Sequence, residues 1–490
     1  MYVVGTAGHV DHGKSALIEA LTGIDPIRLP EEKERGMTID LGFAWMRLPS
    51  TTEISIVDVP GHEKFVNNML AGVAGIDLVL LVVAADESVM PQTREHLAIL
   101  NLLKVKRGLV AVTKTDLVDS DWIDLVVADI EEILSTTILA GSPIVPVSSI
   151  TGDGLNKLTS LMDDLLKITE PKRDVGRPRL PIDRSFTMPG FGTVVTGTLI
   201  DGTLNVGQDV QFSMSGQTTR IRGLQTHRSK LSQALPGSRV AANLSGVSHQ
   251  EIKRGEVLTI PNWLSPTTAM DVELNVIPDA PRHVRHNMFV TVHSGSNEVI
   301  GRVRLLEKQI AEPGDTTWAQ LKLVSPLAVV KGDRFVIRSN QITLGGGSIV
   351  DPHARRHRRM HLPTLERLKV MEKGSDKDIL LKAIEMSEPR EFHELVNQVN
   401  FQPDMARIAL ESMARDGLII TLGQLCKDPD TLLYSMPGWT LMAEKIRDDL
   451  GAYHRQFPLR NGAPKEELRS KLRMELSIFN RVVPRLKDDG

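Results

Sequence analysis

The sequence holds one cysteine, Cys426, in 490 residues. That excludes a disulfide framework and a cysteine-rich zinc site, and it suits a reducing cytoplasm. No charge sign is in excess, since 58 Lys and Arg stand against 61 Asp and Glu for a net charge of −3. No whole-protein basic field announces nucleic acid, so any RNA contact has to come from local clusters. No apolar run is long enough to span a membrane. A first strand is expected from Tyr2 and phosphate chemistry from Gly8, so no signal or transit peptide is expected ahead of them.

What is present changes texture along the chain, and the length suggests about three domains. Residues 1–173 alternate short apolar runs, at 2–6, 54–59, 78–84, 108–113 and 144–147, with helical stretches such as 92–103 and 125–134. This is the rhythm of a mostly parallel sheet covered by helices. Between 178 and 357, β-branched runs at 193–196, 210–212, 289–292 and 334–337 recur between Gly and Pro turns. They predict two small β-barrels, at 178–262 and 263–357. Residues 374–440 read as helices at 377–386, 391–399 and 403–415 followed by a strand at 417–422, the pattern of a winged helix. A weaker second copy, 441–490, has helices at 443–454, 464–472 and 478–486 and is expected to lack its wing, with a kink at Pro484. The predicted fold is therefore multidomain: an α/β P-loop domain, two β-barrels, then α+β winged-helix modules.

Gly8-His9-Val10-Asp11-His12-Gly13-Lys14-Ser15 matches G-x-x-x-x-G-K-[ST] between a strand and a helix. Backbone N–H groups of such a loop wrap phosphates, and the helix that follows adds its positive end. Asp11, His12, Gly13, Lys14, Ser15 and Ala16 are thus expected around the phosphates of GTP or GDP, with Lys14 at the β- and γ-phosphates and Ser15 on Mg²⁺. His9 and His12 read as structural parts of the loop. Asp58-Val59-Pro60-Gly61 closes a strand. Asp58 is expected to hold Mg²⁺ through water, Gly61 to turn its N–H to the γ-phosphate, and Thr38 to complete the metal shell. The segments around Thr38 and Gly61 are candidate switches. His62, next to Gly61, can orient the attacking water.

Thr113-Lys114-Thr115-Asp116 follows another strand. The Asp116 carboxylate can accept two N–H bonds from the edge of guanine, which adenine does not offer. Lys114 can lay its stem over the base. Thr113 stands where G-proteins carry Asn, which puts one loop-bracing hydrogen bond in question. Ser148 and Ser149 fit the remaining base loop. A lone Lys-x-Asp is weak, but it comes fourth after three ordered motifs.

Gly8–Ser15, Arg35–Asp40 and Asp58–Glu63 resemble translational GTPases related to elongation factor Tu. Leu29-Pro30-Glu31-Glu32-Lys33, Gly36-Met37-Thr38-Ile39-Asp40-Leu41-Gly42-Phe43, Asp58-Val59-Pro60-Gly61-His62-Glu63-Lys64-Phe65 and the run from Gln92 to Leu100 resemble the SelB family of selenocysteine-specific elongation factors. By that resemblance Val10 and Met37 flank a catalytic His62. Asp183, Arg184 and Arg239 would form an amino-acid pocket whose guanidiniums favour the selenolate over serine. The partners implied are selenocysteyl-tRNA, the ribosome and an mRNA recoding hairpin, with no membrane, for a cytoplasmic monomer. The family carries four winged-helix modules and this chain about one and a half, so the hairpin-binding surface is expected to be absent. Arg355-Arg356-His357-Arg358-Arg359 can bind RNA phosphates or be a solvated linker. Two alternatives stay open: another tRNA-carrying GTPase, and a non-hydrolysing RNA-binding regulator on a GTPase core.

His62→Ala is expected to leave GTP binding nearly intact and to slow ribosome-stimulated turnover by orders of magnitude, because water positioning acts mainly in the transition state. Single-turnover hydrolysis on ribosomes checks it, and an unchanged rate would remove His62 from the catalytic role.

Overall fold

A computed structural model describes residues 2–27, 32, 38, 40–61, 75–105, 107–169, 174–227, 229–340, 342–425, 428 and 430–489. The chain divides into two compact units, Met1–Met360 and His361–Gly490.

The first unit opens with a six-stranded sheet in the order β2-β3-β1-β4-β5-β6. Its strands are β1 (Tyr2–Ala7), β2 (Gly42–Arg47), β3 (Glu53–Asp58), β4 (Leu78–Ala84), β5 (Gly108–Thr113) and β6 (Ile144–Pro146). Only β2, against β3, runs antiparallel. Every residue of β4 and β5 is buried, as helices on both faces of a parallel sheet require. Among the described residues its α-helices are α1 (Lys14–Thr22), α2 (Pro91–Leu103), α3 (Ser120–Ser135) and α4 (Leu155–Lys167). Helix α3 begins where Asp119 accepts the Trp122 N–H at 2.9 Å, and it buries Val126, Ile130 and Leu134 on one stripe. The 108–113 run is therefore a strand whose last residue, Thr113, lies at the sheet's carboxyl edge beside β1's loop. Doubly wound sheets bind ligands at that edge.

Two barrels follow. In the first, Asp209–Phe212, Val257–Thr259, Leu180–Met188, Gly192–Thr198, Arg239–Leu244 and Thr218–Thr226 are neighbours in that order, and Asp209–Phe212 pairs again with Thr218–Thr226 to close the ring. Alternation along Arg239–Leu244 sends Val240, Ala242 and Leu244 into the core. The second barrel closes through Thr267–Val276, Thr316–Leu327, Asn297–Leu305, Met288–Ser294, Arg334–Ser339 and Ile342–Asp351. The division expected at 262/263 lies between Val257–Thr259 and Thr267–Val276. Ile342–Asp351 does not alternate, because its outer side lies against α2 of the first domain. A Cβ on Gly346 would meet Leu102 Cδ1 at 3.3 Å and the Phe335 carbonyl at 2.3 Å.

The second unit starts with a helix the sequence reading did not separate, α5 (Leu362–Lys373). The three expected helices follow as α6 (Asp376–Glu385), α7 (Phe392–Val399) and α8 (Pro403–Arg415). Ser375 and Asp378 form a capping box at the start of α6. The wing is a three-stranded antiparallel sheet in which Leu432–Ser435 lies between Arg390–Glu391 and Ile419–Leu422. Then come α9 (Met436–Gln456), α10 (Lys465–Leu472) and α11 (Leu476–Asp488), the last continuing through Pro484.

The 440/441 division needs correction, because α9 crosses it. Ser435 caps that helix by accepting the Gly438 N–H at 3.1 Å, with Pro437 in the first turn. The two copies also share a core. Leu422, Leu432 and Tyr434 of the wing pack with Trp439, Ile446, Leu472, Phe479 and Val482. Trp439 stands edge-on to Tyr434 at 5.4 Å and donates its indole N–H to Asp489 at 3.0 Å. The wing of the first copy therefore covers the helices of the second. Leu432→Ala should cost about 2–5 kcal/mol and lower hydrogen-exchange protection in α9 and α11 together with the wing. Loss confined to the wing would show two separate cores.

Candidate nucleotide site and amino-acid pocket

The loop after β1 is shaped by residues that tolerate positive φ. Gly8 has φ +136°, and a Cβ there would lie 2.1 Å from the Val82 carbonyl. Asp11 (φ 62°) and Gly13 (φ 80°) are left-handed, and α1 starts at Lys14. Lys14, Ser15 and Ala16 are its first turn, where N–H groups lack helical partners. Lys14 is buried, and its Nζ donates to the Gly8 carbonyl at 3.1 Å. Burial lowers its pKa to about 8, against the opposing pull of Asp58 and Asp11.

Three oxygens converge beside it. Ser15 Oγ donates to Asp58 Oδ2 at 2.6 Å, Ser15 Oγ and Thr38 Oγ1 are 3.0 Å apart, and Thr38 Oγ1 lies 3.4 Å from Asp58 Oδ2. Asp58 is fully buried, and burial raises its pKa, opposed by the Ser15, Lys14, Thr6 and Thr38 contacts. Hard oxygen donors around a carboxylate that burial makes reluctant to ionise alone fit a small divalent cation such as Mg²⁺. Thr6, which the sequence reading missed, donates to Asp58 Oδ1 at 3.0 Å and accepts the Val59 N–H at 3.0 Å. Gly61 presses on the loop, for a Cβ there would fall 2.6 Å from Lys14 Nζ and from Val10 N. His62, with residues 35–37 and 63–65, lies outside the described residues.

Across the loop, Thr113 Oγ1 donates to the His12 carbonyl at 2.7 Å. The brace that the sequence put in question is thus made by a hydroxyl. His12 is wholly buried, with Nε2 3.3 Å from Glu87. Burial, with His9 nearby, lowers its pKa to about 4, so it is a neutral structural residue. Lys114 is left-handed and pairs with Asp86 at 3.0 Å. Asp116 Oδ1 accepts the Ser148 hydroxyl at 2.6 Å. Ser148 Oγ in turn accepts the N–H groups of Ile150 (3.2 Å) and Thr151 (3.1 Å), which fixes the turn containing Ser149. The structure thus brings the described candidate nucleotide residues to one edge of the sheet.

The pocket residues meet a partner that sequence reasoning did not single out. Arg239 sits over the Phe43 ring at 3.7 Å, and Arg184 over the same ring at 5.4 Å. Asp183 is bidentate with Arg239, with Arg239 Nη2 to Asp183 Oδ1 at 2.9 Å, and also accepts the Thr196 hydroxyl at 2.7 Å. Arg184 Nη2 donates to the Leu41 carbonyl at 2.7 Å and pairs with Asp40 at 2.8 Å. Each guanidinium therefore has a carboxylate, and Phe43 on β2 is stacked by both. The signal for Phe43 was its place in the motif ending Asp40-Leu41-Gly42-Phe43.

Family models match most of the chain in segments: elongation factor Tu GTP-binding domain over 1–168, elongation factor Tu domain 2 over 192–259, the β-barrel domain of selenocysteine-specific elongation factor over 271–356, and the winged helix of elongation factor SelB over 447–490. The selenocysteine-specific elongation factor of Desulfomicrobium baculatum is 41% identical over 498 residues, which span all of this chain and 77% of that protein. The chain belongs to the SelB family. The Escherichia coli K12 member is 35% identical over 95% of this chain and 72% of its own. Among solved structures, a bacterial selenocysteine-specific elongation factor superposes with TM-score 0.83 at 27% identity, over 99% of this chain and 78% of that one. SelB from Methanococcus maripaludis in complex with a GTP analogue gives 0.62 at 27% identity, over 71% and 78%. This SelB-family chain is a GTP-binding elongation factor and a translational GTPase. Among the described residues no helix is long and apolar enough to cross a membrane.

Thr113→Ala removes one neutral hydrogen bond to the loop and should weaken GDP binding about two- to tenfold. Thr113→Asn, which can donate to the same carbonyl, should restore most of it. Titration of fluorescent GDP checks both, and equal affinities for Thr113→Ala and wild type would remove the brace from nucleotide binding.

Proposed function

We propose that this chain binds GTP with Mg²⁺, carries selenocysteyl-tRNA, and delivers it to the ribosome at recoded UGA codons in the cytoplasm, acting as a monomer. Lys14 holds the β- and γ-phosphates, Asp116 and Lys114 hold guanine, and Ser15, Thr38 and Asp58 hold the cation. When bound, Mg²⁺ neutralises charge on the phosphates. His62 orients the attacking water.

One observation carries the link between nucleotide and amino acid. Strand β2 pairs with β3 so that Gly42 faces Asp58 and Phe43 faces Val57. The cation carboxylate and the aromatic platform under both pocket arginines thus sit one residue apart on a single two-stranded ladder. A nucleotide-dependent change at Thr38 would reach Phe43 through the Asp58 side chain and the β3–β2 ladder. Each guanidinium has five N–H donors, more than its present contacts use, so a selenolate can be accepted alongside the carboxylates.

RNA binding is supported by a groove of about 910 Å³ on the second barrel, lined by Arg302, Arg304, Lys322, Arg356, Arg358 and Arg359 among others. Arg302 and Lys322 face each other across neighbouring strands. Like charges in that position are destabilising until an anion joins them. The 355–359 run is tied to the barrel rather than free, since Arg359 donates to the Leu305 and Lys308 carbonyls at 3.1 and 2.9 Å. Phosphates of the tRNA are the anions this groove fits.

Arg239→Ala should reduce the preference for selenocysteyl-tRNA over seryl-tRNA by about tenfold or more, the loss of one charge-assisted hydrogen bond. Competitive filter binding in the GTP state measures it. Equal selectivity before and after would place discrimination elsewhere.

A further inference from the structure

Helix α2 touches two things that have no covalent reason to be connected. On its first turns, Gln92 and His96 face the phosphate loop, as residues four apart on one helix face do. Gln92 Oε1 accepts the Val10 N–H at 3.2 Å, and His96 Nδ1 accepts the Gly8 N–H at 3.0 Å. Glu95, between them, points to the second barrel. Its Oε1 accepts the Thr343 hydroxyl at 2.9 Å and an Arg338 N–H at 3.3 Å.

Both ends are built in rather than incidental. His96 is buried, and an acceptor at Nδ1 requires the ring proton on Nε2. Burial, followed by the charges of Lys14 and His9, lowers its pKa to about 3, so the ring stays a neutral acceptor. A Cβ on Gly8 would fall 2.1 Å from the Val82 carbonyl oxygen, so the loop passes close against β4 at the residue His96 holds. On the other side, Arg338 and Thr343 are buried, and Val336 of the same barrel belongs to the core of the GTPase domain.

We propose that α2 is a two-ended clamp in which Gln92 and His96 are positioning residues for the phosphate loop, and Glu95 makes their grip depend on docking of the second barrel. A loop held from behind presents its remaining N–H groups to the phosphates at no further ordering cost. When the barrel is docked, Glu95 fixes the helix and with it both acceptors. When that contact is lost, the helix is freer, the loop relaxes, and nucleotide leaves faster. The barrel that carries the basic groove thereby gains a hold on nucleotide lifetime. This rests on the loop holding the phosphates as proposed above.

The test is release of fluorescent GDP from the full chain, chased with unlabelled GDP in a stopped-flow instrument. His96→Ala leaves a buried N–H without an acceptor and should speed release about tenfold. His96→Asn, whose Oδ1 can occupy the place of Nδ1, should return the rate to within about twofold of wild type, a rescue that a purely space-filling role for the ring would not give. Gln92→Ala, Glu95→Gln and Arg338→Ala should each speed release about threefold. Arg338→Ala combined with His96→Ala should give less than the product of the two effects, because both act through one helix. Release within twofold of wild type for both His96→Ala and Gln92→Ala overturns the clamp, and so does a fully multiplicative double variant. If His96→Ala does not fold, Gln92→Ala, with its partly buried side chain, decides the same point. Failure of the wild-type chain to bind GDP at all would overturn the reading of the loop and the clamp with it, whereas wild-type binding with unchanged release in the variants overturns the clamp alone.

Discussion

A carboxylate with no exposure to water organises the first unit. Asp58 is bonded by three hydroxyls, from Thr6, Ser15 and Thr38. Each hydroxyl comes from a different piece of chain: β1, the helix after the phosphate loop, and the segment before β2. A buried charge without partners is costly, so these three segments are held to it as much as it is held by them. A cation placed among these oxygens changes the balance of the whole set at once. That is the physical content of a switch: several chain segments share one electrostatic constraint, and a ligand sets its strength.

The constraint spreads because its members sit on shared elements. β3 ends at Asp58 and carries β2 alongside it, and β2 presents Phe43 to the two arginines of the first barrel. The first barrel holds the sheet again where His227 stacks on Trp45 at 5.3 Å and its Nε2 lies 2.9 Å from Ser55 Oγ. The two barrels are joined by Arg179 and Asp333, paired at 2.8 Å. Each link is a short-range polar or aromatic contact between rigid sheets. Apolar packing backs these links, with Val336 of the second barrel in the core of the GTPase domain and Val257 of the first barrel clustered with Ala328 and Val330 of the second.

Much of this was legible in the sequence because phosphate and base chemistry is written locally. Gly8, Gly13, Lys14 and Ser15 lie within one turn of chain, and a buried-strand run precedes each of Asp58 and Asp116. Thr113 was readable as an unusual residue but not as a sufficient one, since a hydroxyl and an amide reach the same carbonyl only if the backbone is at the right depth. Phe43 was inside a quoted motif, yet its role depends on two arginines more than 140 residues away, a distance that periodicity does not carry. The Ser435-Met436-Pro437 start of α9 is a helix-cap signal seven residues ahead of the start expected at 443. The three hydroxyls of Asp58 include one, Thr6, that looks like any strand threonine.

The shared core between the wing and the last helices has a consequence for biogenesis. The wing strands Ile419–Leu422 and Leu432–Ser435 leave the ribosome before α9, α10 and α11 do. Leu422, Leu432 and Tyr434 then face water until those helices are made, which at about 5–20 residues per second takes several seconds. During that interval the nascent chain displays an apolar patch on a nearly finished domain, and a holding chaperone would find its surface there. A chain of such modules would pass this bare face along as it grows, each new helix set covering the wing made just before it.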